Sequence, residues 1–280
     1  MQTMKRILYL LLLLPLLAAC TDNAPQKPTI TVTIEPLRFF TEKIGGNKFD
    51  VVTMVPNGAS PETYEPTAQQ MAALTKSQLY IKAGNLGFER TWSERLKNNA
   101  AHLITVNSSE GIKQLQDYDG GISDPHTWTS PTNAIHIAHN IYRALVRIDA
   151  KDSAYFRDNL DSLTMQIIQL DNIITAKTAS AKSKSFIIYH PSLTYFANEY
   201  GLEQLVIEEN GREPSVASLA RLIDTAKKKN VKLMFLQKEF SNRNISTITN
   251  ATGVKTVEIN PLSYDWEGEL LKIANAICTK

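Results

Sequence analysis

The sequence predicts an α/β protein of two lobes, each built on a parallel sheet, joined by one long rigid helix. Short β-branched runs alternate with helix-length segments in the first half of the chain. This alternation stops after Pro131, where two helical segments follow each other with no strand between them, and it resumes near residue 183. Because the second half repeats the plan of the first, two lobes of comparable size fit the pattern better than one continuous sheet.

The beginning of the chain has the pattern of a secretion signal. Lys5 and Arg6 precede an apolar run that is too short to span a bilayer comfortably and ends at Cys20. Small residues directly before a cysteine resemble a lipobox, in which a peptidase cuts before the cysteine and its sulfur receives diacylglycerol. We therefore predict a lipoprotein signal peptide over residues 1–19, lipidation of Cys20 and a lipidated tether over residues 20–28. An ordinary signal peptide with a chance cysteine is the alternative.

Charge and cysteine content restrict the function and the source of stability. Removal of the signal leaves 28 basic and 28 acidic residues, so the remaining chain is formally neutral. A neutral chain lacks the excess of positive charge with which nucleic-acid-binding proteins contact phosphates. We therefore expect no nucleic-acid partner. With Cys20 lipidated, only Cys278 remains, so stability has to come from core burial rather than from disulfides.

An N-terminal lobe is predicted over residues 29–150. Four β-branched runs have the length and composition of buried strands: Thr29–Glu35, Asp50–Val55, Gln78–Ala83 and His102–Val106. Helix-length segments separate these runs, and a helix from about Thr132 to Ile148 follows them. The alternation predicts a parallel sheet covered by helices.

A long linking helix is predicted over residues 151–182. Its apolar residues recur at steps of three and four and form one stripe: Tyr155, Phe156, Leu160, Leu163, Ile167, Leu170 and Ile174. At 1.5 Å per residue, about 28 helical residues extend roughly 40 Å, which is longer than a small domain needs for its own core. We therefore expect this helix to contact both lobes.

A C-terminal lobe is predicted over residues 183–280. Its expected strands are Ser185–Tyr189, Leu205–Glu208, Lys232–Gln237 and Val254–Ile259, with helices that begin near His190, Ser215, Asn242 and Asp265.

Metal-binding side chains occur in the loops after the predicted strands, where open α/β sheets bind their ligands. Glu62 and His126 lie in the first half, and His190 and Asn260 lie in the second. Donors dispersed over two lobes suit one small ion in the cleft between them. Two imidazoles with a carboxylate suit Zn²⁺, and they also accommodate Mn²⁺ or Fe²⁺ because no thiolate restricts the choice.

Each of these residues also has an ordinary structural interpretation. A lone histidine at a strand end is more often a hydrogen-bonded residue than a ligand, and most loop glutamates are solvated. His136 and His139 lie three residues apart within an amphipathic helix, where we expect structural roles. Spacing alone therefore leaves the metal site open.

Several motifs are spread over the chain beyond the signal: Pro36-Leu37, Ile44-Gly45-Gly46, Gly58 to Pro66, Asp124 to Trp128, Tyr189-His190, Tyr195-Phe196, Tyr200-Gly201-Leu202, Glu213-Pro214-Ser215 and Asn260-Pro261-Leu262. In these motifs the chain resembles the substrate-binding lipoproteins of zinc and manganese ABC importers, of the zinc-uptake type. The resemblance implies two lobes joined by a rigid helix, with one metal ion bound between them. It also implies that the protein is no enzyme, acts as a monomer and delivers its metal to an ABC permease.

The resemblance further implies that His126 and His190 are ligands. A histidine at position 190 makes the chain similar to the zinc branch of the family. Glu62 stands where the family usually has histidine, and Asn260 stands where it has aspartate. Glu62 can still supply an anionic oxygen, whereas Asn260 offers a neutral carbonyl, so Glu239 or water is the alternative fourth ligand. The resemblance places the protein in the cell envelope, held on the bilayer by the Cys20 acyl anchor and facing the periplasm or exterior.

Two other classes of function stay open at this point. A zinc hydrolase could use the same donors, with Glu239 as base, although the sequence has no His-Glu-x-x-His segment and no Gly-x-Ser-x-Gly elbow. An adhesin could use the surface of the lobes to contact host or matrix proteins.

Overall fold

The structure is a computed structural model that describes residues 27–100, 102–116, 123–209, 211–238, 240 and 244–278. The predicted signal peptide, the lipidation of Cys20 and nearly all of the predicted tether lie outside these ranges. The candidate ligand Glu239 lies outside them as well.

The N-terminal lobe is built on a four-stranded parallel sheet with the order β2-β1-β3-β4. Its strands are β1 (Thr29–Val32), β2 (Asp50–Thr53), β3 (Leu79–Lys82) and β4 (Ile104–Asn107). Its helices are α1 (Glu35–Gly45), α2 (Ala68–Thr75), α3 (Gly87–Asn99) and α4 (Pro131–Ile148). β1 is a central strand, and Ile30 and Val32 are fully buried within it.

The C-terminal lobe repeats this plan, with a four-stranded parallel sheet of order β6-β5-β7-β8. Its strands are β5 (Ser185–Ile188), β6 (Glu203–Val206), β7 (Leu233–Gln237) and β8 (Lys255–Ile259). Its helices are α6 (Thr194–Glu199), α7 (Val216–Lys228), α8 (Ile245–Thr252) and α9 (Trp266–Cys278). The prediction of two α/β lobes with parallel sheets is therefore confirmed.

Helix α5 (Ser153–Ala179) connects the lobes and packs on α1 and α4 of the first and on α9 of the second. Six residues of the predicted apolar stripe are buried: Phe156, Leu160, Leu163, Ile167, Leu170 and Ile174. They belong to one core cluster that contains residues of both sheets, so the helix joins the lobes through a continuous apolar interior. Among the helices that the structure describes, none has the length and apolar content needed to cross a membrane.

Two element ends and the burial of one residue illustrate where the structure differs from the prediction. The first strand was expected to reach Glu35, but β1 ends at Val32 and Glu35 begins α1, because Pro36 suits the first turn of a helix, where no backbone donor is needed. Tyr155 is 41% exposed rather than part of the buried stripe. The helix expected from His190 begins at Thr194, because Pro191 disfavours helical geometry at the residue before it.

Candidate metal centre

Two histidines from different parts of the chain meet between the lobes. His126 lies in the loop before α4, and His190 directly follows β5 at the carboxyl end of its sheet. Their Nε2 atoms are 3.3 Å apart, and their side chains are 6% and 15% exposed. The structure therefore brings together the two imidazoles that the sequence proposes as ligands.

A carboxylate fixes the other nitrogen of each ring. Nδ1 of His126 lies 2.9 Å from Oδ1 of Asp124, and Nδ1 of His190 lies 2.8 Å from Oε1 of Glu208. An ionised carboxylate only accepts hydrogen bonds, so this network assigns the proton of each neutral ring to Nδ1. Both Nε2 lone pairs are then directed into the space between the rings.

The charge of Asp124 is well suited to this role. Burial would raise the pKa of its carboxyl group, but the adjacent His126 imidazole and its hydrogen bonds lower that pKa below the usual value. The carboxylate also accepts a hydrogen bond of 2.7 Å from the backbone N–H of His126. Asp124 therefore stays ionised, and the same oxygen that binds the His126 backbone also orients the ring through Nδ1.

The spacing of the two Nε2 atoms matches that of two ligands on one ion. Two lone pairs at 3.3 Å repel each other unless a cation, either a proton or a metal ion, lies between them. Zn²⁺ binds imidazole nitrogens at about 2.0–2.1 Å in tetrahedral geometry, which separates two such nitrogens by roughly 3.3–3.4 Å. The observed separation is therefore that of two imidazole ligands on one zinc ion.

Aromatic side chains hold the two rings from outside. Phe240 stacks on His190 with ring centroids 4.8 Å apart and an interplanar angle of 23°. The indole N–H of Trp128, two residues after His126, donates to the carbonyl of Pro261 at 2.9 Å, and the indole of Trp266 donates to the carbonyl of Trp128 at 2.7 Å. These hydrogen bonds tie the His126 loop to the C-terminal lobe.

The imidazoles line a cavity of about 20 Å³. One water molecule needs about 10–15 Å³, so the cavity has room for one ion or one water molecule. Its walls are formed by Ser60, Pro61, Glu62, His126, Trp128, His190, Ser192, Gln237, Phe240, Pro261 and Leu262.

Glu62 lies in the wall of this cavity. Its Oε2 accepts a hydrogen bond of 3.0 Å from the backbone N–H of Gly87, the first residue of α3, and lies 3.7 Å from the Arg90 guanidinium. A side chain at position 87 would collide with the Glu62 backbone, so glycine is required for this close approach. Oε1 of Glu62 is buried and has no hydrogen-bond partner among the described residues. A buried, unpaired anionic oxygen in the cavity wall fits a cation.

Asn260 does not lie in the wall of this cavity. Its Oδ1 accepts a hydrogen bond of 3.0 Å from the backbone N–H of Leu262, and its own backbone N–H donates to Glu269 at 2.8 Å. The side chain is therefore used in a turn that presents Pro261 and Leu262 to the cavity. Within the described ranges, no group of three or more His, Cys, Asp and Glu side chains is gathered closely enough to hold a metal ion. Glu62 would therefore have to move closer to the imidazoles to share an ion with them.

Three side chains that orient the imidazoles were not predicted as site residues. Asp124 belongs to a motif of the sequence but received no role, and Glu208 was placed at the end of a strand. Glu208 could have been found from the strand order, because β6 neighbours β5 and parallel strands end at the same edge of a sheet. No sequence signal indicates that Phe240 stacks on His190.

Comparison with known proteins shows the family of this chain. A 30% identical relative, the high-affinity zinc uptake system protein ZnuA of Bacillus subtilis, aligns over 88% of this chain and 85% of its own length. The zinc-binding lipoprotein AdcA of Streptococcus pneumoniae is 29% identical over 88% of this chain, which spans only 52% of that protein. A crystal structure of ZnuA superposes on this chain with a TM-score of 0.86 at 36% sequence identity. The match covers 90% of this chain and 98% of the ZnuA chain.

The family model described as zinc-uptake complex component A, periplasmic, matches residues 30–273, a range that includes both lobes, both histidines and the linking helix. This chain belongs to the zinc-uptake complex component A family.

Proposed function

We propose that the protein captures one divalent transition-metal ion, Zn²⁺, outside the cytoplasmic membrane and delivers it to the permease of an ABC importer. One observation carries the proposal. Two imidazoles from different parts of the chain, buried His126 and half-buried His190, each have Nδ1 held by a carboxylate and bring their Nε2 atoms to 3.3 Å from each other.

His126 and His190 are the two proposed nitrogen ligands, and Glu62 is the proposed oxygen ligand. Glu62 lines the cavity, and its buried, unpaired Oε1 supports this role. We propose water, Glu239 or Asn260 as the fourth ligand of the metal ion. Asn260 could serve only after its amide leaves the backbone N–H of Leu262.

Zinc is the proposed cargo because two imidazoles and a carboxylate can hold it in a tetrahedral site, whereas Mn²⁺ prefers oxygen donors and Fe²⁺ adds further ligands to the same set. Relatives named for zinc uptake and zinc binding support this choice. Mn²⁺ or Fe²⁺ in the same role is the alternative.

A binding function fits the cavity better than catalysis. A zinc hydrolase needs room for its substrate beside the ion, and a cavity of about 20 Å³ is too small to hold an organic substrate. Adhesion to host or matrix proteins would use the outer surface of the lobes and would not require paired imidazoles.

We further propose that the protein acts as a monomer, faces the periplasm or exterior and is anchored to the bilayer by acyl chains on Cys20. The lipobox-like sequence supports the anchor. The relative AdcA is named as a lipoprotein.

Elemental analysis and competitive titration of the purified protein with Zn²⁺, Mn²⁺ and Fe²⁺ test the proposal. We expect one equivalent of zinc, bound more tightly than manganese or iron, and no hydrolytic activity. A stoichiometry of zero, or a preference for Mn²⁺ or Fe²⁺, would refute the zinc assignment.

Glu62→Gln is expected to weaken zinc binding by about tenfold, or ~1.4 kcal/mol. Glutamine keeps the size of the side chain and an oxygen for the Gly87 N–H, but it removes the negative charge that a dication attracts. Glu65→Gln, an exposed change three residues away, is the matched control and should leave the affinity unchanged. Equal affinities of the two variants would remove Glu62 from the ligand set.

Asp124→Asn and Glu208→Gln are each expected to weaken zinc binding by about 10–100-fold, although neither residue contacts the ion. Each change replaces the carboxylate that accepts the Nδ1 proton with an amide, whose NH₂ group can turn the ring or reverse its tautomer. Isothermal titration against a chelator measures the loss. If both variants bound zinc as the unmodified protein does, the carboxylates would not be orienting the rings.

A further inference from the structure

A second cavity, of about 360 Å³, lies at the other end of the C-terminal sheet. Ser185, Leu233 and Lys255 line it, and each is the first residue of its strand. His190 follows the opposite end of β5, so the sheet separates this cavity from the candidate metal centre. We refer to it as the basal cavity.

The floor of the basal cavity is apolar. It is formed by Phe186, Leu202, Leu233, Val257, Ala276 and Ile277. Phe186, Leu233 and Ile277 are buried, and the other three are half-buried. An alkyl chain placed on this floor would remove apolar surface from water, which contributes about 25 cal/mol per Å².

The rim of the basal cavity is positively charged. Lys182, Lys184, Lys232 and Lys255 line it, and no aspartate or glutamate is among its lining residues. Lys184 donates to the carbonyl of Thr178 at 2.6 Å, at the end of α5. The other three ammonium groups are on exposed residues and form no ion pair with any carboxylate in the described part of the chain.

A carboxylate next to the cavity does not cancel this charge. Glu203 accepts a hydrogen bond from the Ser185 hydroxyl at 2.8 Å, but it is paired with Lys229, whose Nζ lies 2.7 Å from both of its oxygens. The rim therefore keeps a positive potential that faces the apolar floor.

We propose that the basal cavity binds a single-chain anionic amphiphile, a fatty acid, with its alkyl chain on the apolar floor and its carboxylate among Lys182, Lys232 and Lys255. The charge of the rim selects an anion, because three unpaired ammonium groups around one opening repel a cationic head group. The floor selects a hydrocarbon chain. A volume near the lower end of the range of small-molecule pockets, about 300–1,000 Å³, suits one chain rather than a two-chain lipid.

Isothermal titration with sodium decanoate, below its micelle concentration, tests this proposal. We expect saturable binding of one equivalent by the unmodified protein. Lys232→Glu combined with Lys255→Glu should weaken decanoate binding at least tenfold. Lys76→Glu combined with Lys113→Glu, the same change of charge on exposed residues of the N-terminal lobe, should leave it unchanged.

The proposal would be overturned by no saturable binding of decanoate, by equal losses in the two double variants, or by equally tight binding of decyltrimethylammonium. Binding to vesicles of anionic phospholipid without binding of decanoate would also overturn it. Zinc titration of each variant keeps this test separate from the proposed function, because the basal cavity is remote from His190 and all variants should retain their zinc affinity.

Discussion

Replacing either His126 or His190 with alanine is expected to weaken zinc binding by at least tenfold, which corresponds to ~1.4 kcal/mol. Each substitution removes one of the two nitrogens that converge at 3.3 Å and leaves a carboxylate, Asp124 or Glu208, without its imidazole partner. Competition with a chelator of known affinity measures the change.

His136→Ala is the matched control for both variants. This histidine lies on α4 and bonds the carbonyl of Glu110 at 2.8 Å through Nε2, outside the wall of the metal cavity. The control should bind zinc as the unmodified protein does. Full zinc affinity in both His126→Ala and His190→Ala would show that the ion binds elsewhere.

Leu163→Ala is expected to lower the free energy of unfolding by about 2–5 kcal/mol, because a large buried side chain is removed and a cavity remains. Leu163 is 1% exposed and belongs to the core that joins both lobes. The free energy is measured by urea denaturation followed by circular dichroism.

Met165→Ala supplies the comparison within the same helix. Met165 is 63% exposed, so its truncation should change the free energy of unfolding by less than about 0.5 kcal/mol. Similar losses in the two variants would contradict the assignment of the buried face of α5.

The sequence predicts the architecture well because hydrophobic periodicity determines where strands and helices lie. The apolar stripe from Phe156 to Ile174 identifies the buried face of α5, and each predicted strand overlaps an observed one. Strand ends are less predictable, since backbone pairing and proline geometry decide them. Glu35 shows this limit: its side chain is compatible with the end of a strand, but Pro36 makes it the start of a helix.

The candidate centre is predictable only in part. A position after a buried strand and an Asp-Pro-His motif make His190 and His126 candidates, and the family resemblance implies that they are ligands. Their convergence depends on the packing of two lobes. The hydrogen bond between Glu208 and His190 depends on the order of strands in the sheet. The turn that uses the Asn260 side chain, and the contact of Glu62 with Gly87, are set by local backbone geometry that residue type does not specify.

We propose that imidazoles from separate parts of the chain share one dication. A crystal structure of the zinc-loaded protein, with anomalous diffraction recorded at the zinc edge, tests it most directly. We expect one anomalous peak between the rings of His126 and His190, about 2.0–2.1 Å from each Nε2 atom. A peak bound to only one of these rings, or located away from both, would contradict the claim.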